Sequence, residues 1–393
     1  MLFQNARLIL KDGVLEDGSL RMEAGIIERV GKNIPQNECE EVVDCRGLYL
    51  SPGFIDIHSH GGGDHDIMDG DAEDIILAAR AHLQHGTTTY YPTTMTSSDE
   101  DLFRTFDCFR RALECSEALP HMPGLHLEGP FLNPLEKGAQ SDEYIKLPLP
   151  ENYLPLLEKG DGIIARVSFA PELEGALSLA QELSRRGIMA AAGHTAATYE
   201  EIERAYDEGV RHLTHFYSGM STITRRGGFR ILGAVEAGYL LDGMSIELIS
   251  DGIHLPPELL RMILKLKDHD HICLITDSMR GAGMGEGPSI LGARDTGTKV
   301  IIEDGIAKLP DRSCFAGSIC TMDRAVRTMR DKAGLSLAEA IRMASFNPAR
   351  FMGIDSRTGS LEAGKAADLL IFDEDIGIKE VYVSGRRAFR ERA

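Results

Sequence analysis

Short apolar runs recur through the middle of the chain, each followed by a stretch whose apolar residues return at helical spacing. The runs are GFIDIH, TTTYYPTT, GLHLEGP, GIIARVSFA, IMAAAGH, HLTHF, SIELIS and ICLITDS. The helical stretches between them include AEDIILAARAHLQHG, PENYLPLLEKG, GALSLAQELSRRG and YEEIERAYDEG. The last two stop at glycine, which readily takes the left-handed conformation that often ends a helix. Eight short apolar strands alternating with helices predict an α/β fold built on a parallel (β/α)8 TIM barrel. The two ends of the chain have another texture. LFQNARLIL, SLRMEAG, IIERVG and VVDCRGLYLSPG at the start, and GSLEAGKAADLLIFDED and IKEVYVSGRRAF at the finish, read as short strands broken by Gly and Asp turns. The expected organisation is a barrel over residues 53–355 and a small, discontinuous β-sandwich domain assembled from residues 1–52 and 356–393.

A chain of 393 residues, 43% of them apolar, suffices for one large core with a small appended domain. No run approaches the ~20 apolar residues that cross a bilayer. The first residues, MLFQNARLILKDG, lack a basic region followed by an apolar core, so no signal peptide is expected. The formal net charge of −19 argues against nucleic-acid and anionic-membrane partners, both of which need a basic surface. It leaves room for an anionic small substrate gripped by a local arginine cluster, and otherwise serves solubility. Seven cysteines without a CxxC pair fit reduced thiols in a cytoplasm better than a disulfide frame or a cysteine zinc site.

Barrels of this kind carry their chemistry at the C-terminal ends of the strands, and the apolar runs end in the right residue types. GFIDIHSHGGG ends in His58 and His60, which by strand alternation face the same way. The pair suits chelation of one metal ion, or is a packed or solvated pair. Glu128 ends GLHLEGPF, with His126 one layer deeper on the same face. A carboxylate there is either salt-bridged to an arginine or bound to a cation, because an unpaired buried charge is costly. IMAAAGH ends in His194, and HLTHF carries His212 and His215. Parity turns the last two to opposite sides, so His215, nearer the strand end, is the candidate ligand and His212 is expected in the shell between barrel and helices. ICLITDS places Asp277 above Ile275 and Cys273, and SIELISDGIHLPP supplies Asp251 and His254, with Pro256 and Pro257 stiffening the next stretch of backbone. Imidazoles and carboxylates at successive strand ends suit zinc or iron(II). Such a metal acidifies water and polarises a carbonyl, and a nearby carboxylate that accepts the proton completes a hydrolysis.

The segments GFIDIHSHGGG, HLEGPFLNPLEKGAQ, AAGHTAATYEE, THFYSGM, SDGIHLPPE, LITDSMRGAGM and FAGSICTMDRA resemble the amidohydrolase superfamily. More narrowly, they resemble its N-acetylglucosamine-6-phosphate deacetylase family. The likeness continues through FNPARFMGI and GSLEAGKAADL and so covers nearly the whole chain. It implies a (β/α)8 barrel with a small β-sandwich from both termini. It implies a principal divalent metal held by Glu128, His194 and His215, and a catalytic acid/base at Asp277. His254 would bind substrate and polarise the amide carbonyl. Because His58 and His60 are kept, the family pattern implies one or two ions per subunit, with Asp277 as a further ligand where two are held. Substrate contacts fall at Ala139 and Gln140, Ser218 and Gly219, Phe315, Ala316 and Gly317, with Asp251 beside His254. An arginine after the THF loop, with Arg226 the candidate and Arg225 and Arg230 as alternatives, would grip the phosphate of a phosphorylated amino sugar. In the family this arginine often reaches the neighbouring subunit, which implies a homodimer. The chain departs from the family at Ser218-Gly219, where many members carry Asn-Ala, and in STITRRGGFRILG; both lie in the substrate-recognition part.

The reaction this implies is hydrolysis of the acetamido group of N-acetylglucosamine 6-phosphate to glucosamine 6-phosphate and acetate. The alternatives are the same chemistry on N-acetylgalactosamine 6-phosphate or another N-acyl or cyclic amide, and a non-catalytic barrel, which would have no need of Asp277.

Overall fold

The structure, a computed structural model, describes residues 1–392. All eight apolar runs become strands: β1 (Phe54–Ser59), β2 (Thr87–Thr94), β3 (Leu125–Glu128), β4 (Ile164–Phe169), β5 (Met189–Ala192), β6 (His212–Leu213), β7 (Ser245–Ile249) and β8 (Ile272–Ile275). Neighbours pair in parallel, in chain order, from β1 to β8. The seam between β8 and β1 is closed above the strands. There Asp277 N–H donates to the His58 carbonyl at 2.9 Å, and His60 N–H donates to the Ser278 carbonyl at 2.8 Å. The segments that shut the barrel therefore carry three of the candidate site residues.

Helices cover the strands as the pattern predicts. Ala176–Arg186 ends at Gly187, whose φ of +70° lets its N–H turn back onto the Leu183 and Ser184 carbonyls. Tyr199–Asp207 starts at a reciprocal cap between Thr198 and Glu201. The two chain ends form one sheet. Leu369–Phe372 lies antiparallel to Tyr49–Pro52, joining C-terminal strands to N-terminal ones over a core that includes Phe3, Leu8, Leu20, Leu50, Leu369 and Tyr382.

Two local features aim the site. Between β1 and β2, three residue steps from Asp56 to Ser59 stand against two from Tyr90 to Pro92, so β1 carries an extra residue just below the mouth. Such a bulge re-aims side chains, and Pro92, which has no N–H, tolerates the gap. Inside the barrel, Ile55, Ile57, Tyr91, Ile249, Cys273 and Ile275 form a separate apolar cluster, with Ala349 and Phe351 packed on it. Against it lies a fully buried polar group of Arg166, His212 and Glu247. His212 is thus not in the shell between barrel and helices, as parity suggested. Its ring bonds Ser245 Oγ at 2.6 Å and Glu247 at 3.1 Å. Strand alternation does not extend to His215, because β6 is only His212–Leu213 and the chain turns at His215, whose φ is +30°.

Candidate active site

At the mouth, Glu128, His194 and His215 bring ligand atoms within 4.8 Å of one another, and so do His58, His60 and Asp277. The Glu128 carboxylate lies between the two groups. Its Oε1 is 3.0 Å from His215 Nε2, 3.4 Å from His194 Nε2 and 3.3 Å from His58 Nε2, while Oε2 is 3.3 Å from His60 Nε2. Asp277 Oδ1 stands 3.4 Å from His58 Nε2 and 3.3 Å from His60 Nε2.

The four rings share one orientation. Each directs Nδ1 outward to an acceptor: Glu247 for His58 (3.2 Å), the Thr93 carbonyl for His60 (3.2 Å), the Glu136 carbonyl for His194 (2.8 Å) and the Ser218 carbonyl for His215 (3.1 Å). Carbonyls and carboxylates only accept, so each Nδ1 carries the proton and each neutral ring turns its Nε2 lone pair inward. His194 and His215 then face each other, Nε2 to Nε2, at 3.1 Å, and the buried His58 Nε2 has no hydrogen-bond partner. Four lone pairs and two carboxylates converging in a buried space repel one another unless a cation lies among them. The residues present therefore fit a divalent ion, in one or two positions.

Where no ion balances them, the carboxylates draw protons onto these rings instead. Burial alone would lower the His58 imidazole, yet the carboxylates of Glu128 and Asp277 raise it to about 9; His60 is raised for the same reason. Burial would raise Glu128, but the surrounding imidazoles of His58, His194 and His215 hold it well below the ordinary range. Asp277 is lowered too, with burial opposed by His58, His60 and His215. Both acids stay ionised, and positive charge is drawn to the same spot. Backbone strain marks the site as well: His194, His215 and Asp277 have φ of +48°, +30° and +46°. Non-glycine residues rarely hold such angles, and they concentrate where function needs them.

Above the cluster opens a pocket of about 240 Å³. Its floor is formed by His60, Glu128, His194, His215 and Asp277, and its wall by His254, Ala139, Gln140, Ser218, Gly219, Phe315 and Gly317. Sequence reasoning placed all of these. Three of the expected site residues have ties within the protein. Ala316 is fully buried and donates its N–H to the Ala307 carbonyl, so it is packed away from the pocket that Phe315 and Gly317 line. Asp251 does not line the pocket; it accepts from His254 Nδ1 at 2.8 Å and from the His254 N–H at 2.9 Å, and so acts through that ring. Gln140 lines the pocket, but its amide is taken up within the protein. Nε2 donates to Glu128 at 2.8 Å, and Oε1 accepts the Thr96 N–H at 2.9 Å.

Arg226 lies outside the pocket of its own chain. It stands on an exposed hairpin, Thr224–Arg226 against Phe229–Ile231, together with Arg225 and Arg230. Met95, Gly138, Leu291 and Cys314 also line the pocket and are not among the residues expected from the sequence. Leu291 ends the strand Gly287–Leu291 of a three-stranded sheet inserted after β8. A larger cavity of about 700 Å³ opens among the strand starts at the opposite end of the barrel. It has one histidine and no carboxylate on its walls, so it lacks the groups for this chemistry.

Residues 49–388 match the model of the amidohydrolase family. The chain belongs to the amidohydrolase family. Among similar proteins of the family is the N-acetylglucosamine-6-phosphate deacetylase of Lysinibacillus sphaericus, 33% identical over 98% of this chain and 97% of its own. The N-acetylgalactosamine-6-phosphate deacetylase of Escherichia coli O157:H7 is 32% identical over 97% of each chain. A solved structure of a mutant N-acetyl-D-glucosamine-6-phosphate deacetylase from Mycobacterium smegmatis, in complex with N-acetyl-D-glucosamine-6-phosphate, superposes with a TM-score of 0.90 at 30% identity. The match covers 99% of both chains. The barrel with a terminal sheet is thus the fold of this amidohydrolase and of its near relatives.

Proposed function

We propose that this amidohydrolase removes the acetyl group of N-acetylglucosamine 6-phosphate, giving glucosamine 6-phosphate and acetate. The observation that carries the reading is the convergence of four inward-facing imidazoles, Glu128 and Asp277 at and just beneath the floor of a sugar-sized pocket. Glu128, His194 and His215 would hold one divalent ion, zinc or iron(II), and His58, His60 and Asp277 a second. Such an ion supplies Lewis acidity, favouring ionisation of water and polarising the amide carbonyl.

The chain's own groups do the rest. Asp277, held ionised between His58 and His60, accepts the proton of the attacking water and returns it to the leaving nitrogen. His254, oriented by Asp251 at Nδ1, faces the carbonyl oxygen and polarises it as negative charge develops there. Gln140 keeps Glu128 from rotating. Phe315 packs edge-on to His254, with ring centroids 5.0 Å apart, and bounds the sugar side of the pocket.

The phosphate would be met by Arg226 from a second copy of the chain. Two observations support a homodimer: among the described residues the pocket is lined by no arginine, and the hairpin that carries Arg226 exposes Phe229 (77%), with Ile223 (52%) just before it. A cytoplasmic location is supported by seven cysteines that all stand free. N-acetylgalactosamine 6-phosphate is the second reading, favoured by the 32% identity to the Escherichia coli enzyme of that name.

The test is acetate release from both sugar phosphates by the purified protein. Release from N-acetylglucosamine 6-phosphate is expected, abolished by a chelator and restored by zinc or iron(II). Full activity after exhaustive chelation would end the reading; a large preference for the galacto epimer would select the alternative.

A further inference from the structure

Glu247 lies on β7 beneath the site, fully buried and outside the pocket lining. Its carboxylate is met from four directions. Oε2 accepts His58 Nδ1–H at 3.2 Å and the backbone N–H of His215 at 2.9 Å. Oε1 accepts His212 Nε2–H at 3.1 Å and pairs with the guanidinium of Arg166. Arg166 grips the same two places from the other side. It donates to the Ile57 carbonyl at 3.2 Å and to Thr214 Oγ1 at 2.8 Å, the residues that immediately precede His58 and His215. One buried ion pair thus holds two strands at the points where each delivers a ring to the cluster.

A buried ion pair is weak support for stability, because removing two charges from water costs most of what their attraction returns. What distinguishes this pair is where its bonds go. His60, His194 and His215 rest their Nδ1 on neutral carbonyls, whereas His58 alone rests on a carboxylate. That charge-assisted bond is the stronger kind; it fixes the tautomer and raises the basicity of the opposite nitrogen. The bond to His215 N–H anchors a residue held at a φ of +30°, a conformation that relaxes unless its surroundings enforce it.

We propose that Glu247, paired with Arg166, is a positioning residue for both halves of the site. It holds His58 in the Nδ1–H form and His215 in its left-handed backbone, so that both Nε2 lone pairs meet at Glu128. The inference rests on the metal reading given under Proposed function. It adds to that reading the acceptor bond to Glu247 as the part that makes His58 a ligand.

The test is zinc binding under chelator competition, for the wild-type protein and Glu247→Gln, with cobalt(II) absorption as a second readout. Glutamine keeps the shape but turns an N–H2 toward one pair of donors. The wild type is expected to take two ions. Glu247→Gln is expected to hold the ion on the His58 side about 10–100-fold more weakly, with a changed cobalt spectrum. Because this variant leaves Arg166 without its counter-charge, Arg166→Met/Glu247→Gln is measured in parallel, and the same weakening is expected. Unchanged affinity for both ions in either folded variant overturns the proposal. Ring 15N resonances of His58 in the zinc-loaded wild type need no variant: a protonated Nδ1 is expected, and zinc on Nδ1 overturns it. A wild-type chain that binds no divalent ion overturns the proposal together with the metal reading, whereas two tight ions in both proteins overturn this proposal alone.

Discussion

The floor and the rim of the pocket are built on opposite principles. On the floor, Glu128 and the ligand rings are buried and have their outer faces tied to named partners: Glu128 to Gln140, His194 to the Glu136 carbonyl, His215 to the Ser218 carbonyl, His60 to the Thr93 carbonyl and His58 to Glu247. On the rim, the residues come from loops, and the candidate phosphate ligand, Arg226, stands in solvent on a two-stranded hairpin. Chemistry demands atoms fixed to within a fraction of an ångström, and a closed barrel supplies that. Recognition of a particular sugar can be left to loops that vary without disturbing the barrel. The chain's departures from its family, at Ser218-Gly219 and in the Arg226 hairpin, fall on the rim.

The largest effect should come from the floor. Asp277→Asn removes the group that moves the proton but keeps its size, and kcat for acetate release is expected to fall by about 10²–10⁴-fold. The same substitution leaves Glu128, His194 and His215 intact, so zinc bound there should be retained. A variant with a near-normal rate and normal metal content would remove Asp277 from the mechanism and leave the contrast between floor and rim without its chemical half.

The rim should respond in a different parameter. Arg226→Ala deletes an exposed side chain, so folding and metal content should be unaffected. Hydrogen bonds to charged groups are worth about 1.5–3 kcal/mol, and KM for the phosphorylated sugar is expected to rise about 10–100-fold with kcat little changed. The unphosphorylated sugar, which lacks the group that Arg226 would meet, should show no such loss. Equal loss on both sugars would mean that the hairpin does not read phosphate.

The same contrast explains what could be read from the sequence. The barrel was legible because each strand is a short apolar run that stops at a polar residue, and those stops are the floor: His58, Glu128, His194, His215 and Asp277. His212 was misplaced because alternation was carried past the end of a two-residue strand into a turn of positive φ. Glu247 and Arg166 left a visible trace, a charge inside the apolar runs SIELIS and GIIARVSFA. Met95, Leu291 and Cys314 left none, since an apolar or thiol residue looks alike in the sequence whether it lines a pocket or a core. Ala316 shows the limit of carrying a motif over residue by residue: FAGS reaches the pocket through its first and third residues only.

Gly219 is where floor and rim meet, and there the smallest effect is expected. It has a φ of +54°, and a Cβ placed on it would lie 2.9 Å from the Glu136 carbonyl oxygen and 3.0 Å from His194 Nδ1. Those two atoms are the partners of the 2.8 Å bond that fixes the His194 ring. A methyl group on the rim therefore presses on a bond of the floor. Gly219→Ala also places a side chain in the left-handed region, at a cost of about 1–2 kcal/mol. The expected outcome is a several-fold weaker hold on the ion at Glu128, His194 and His215, with kcat/KM falling in step and the ion at His58 and His60 unaffected. Zinc competition on the two proteins measures this directly. If affinity and rate are both unchanged, the loop at Ser218-Gly219 shifts freely, and the boundary between rigid floor and adaptable rim lies deeper than His194.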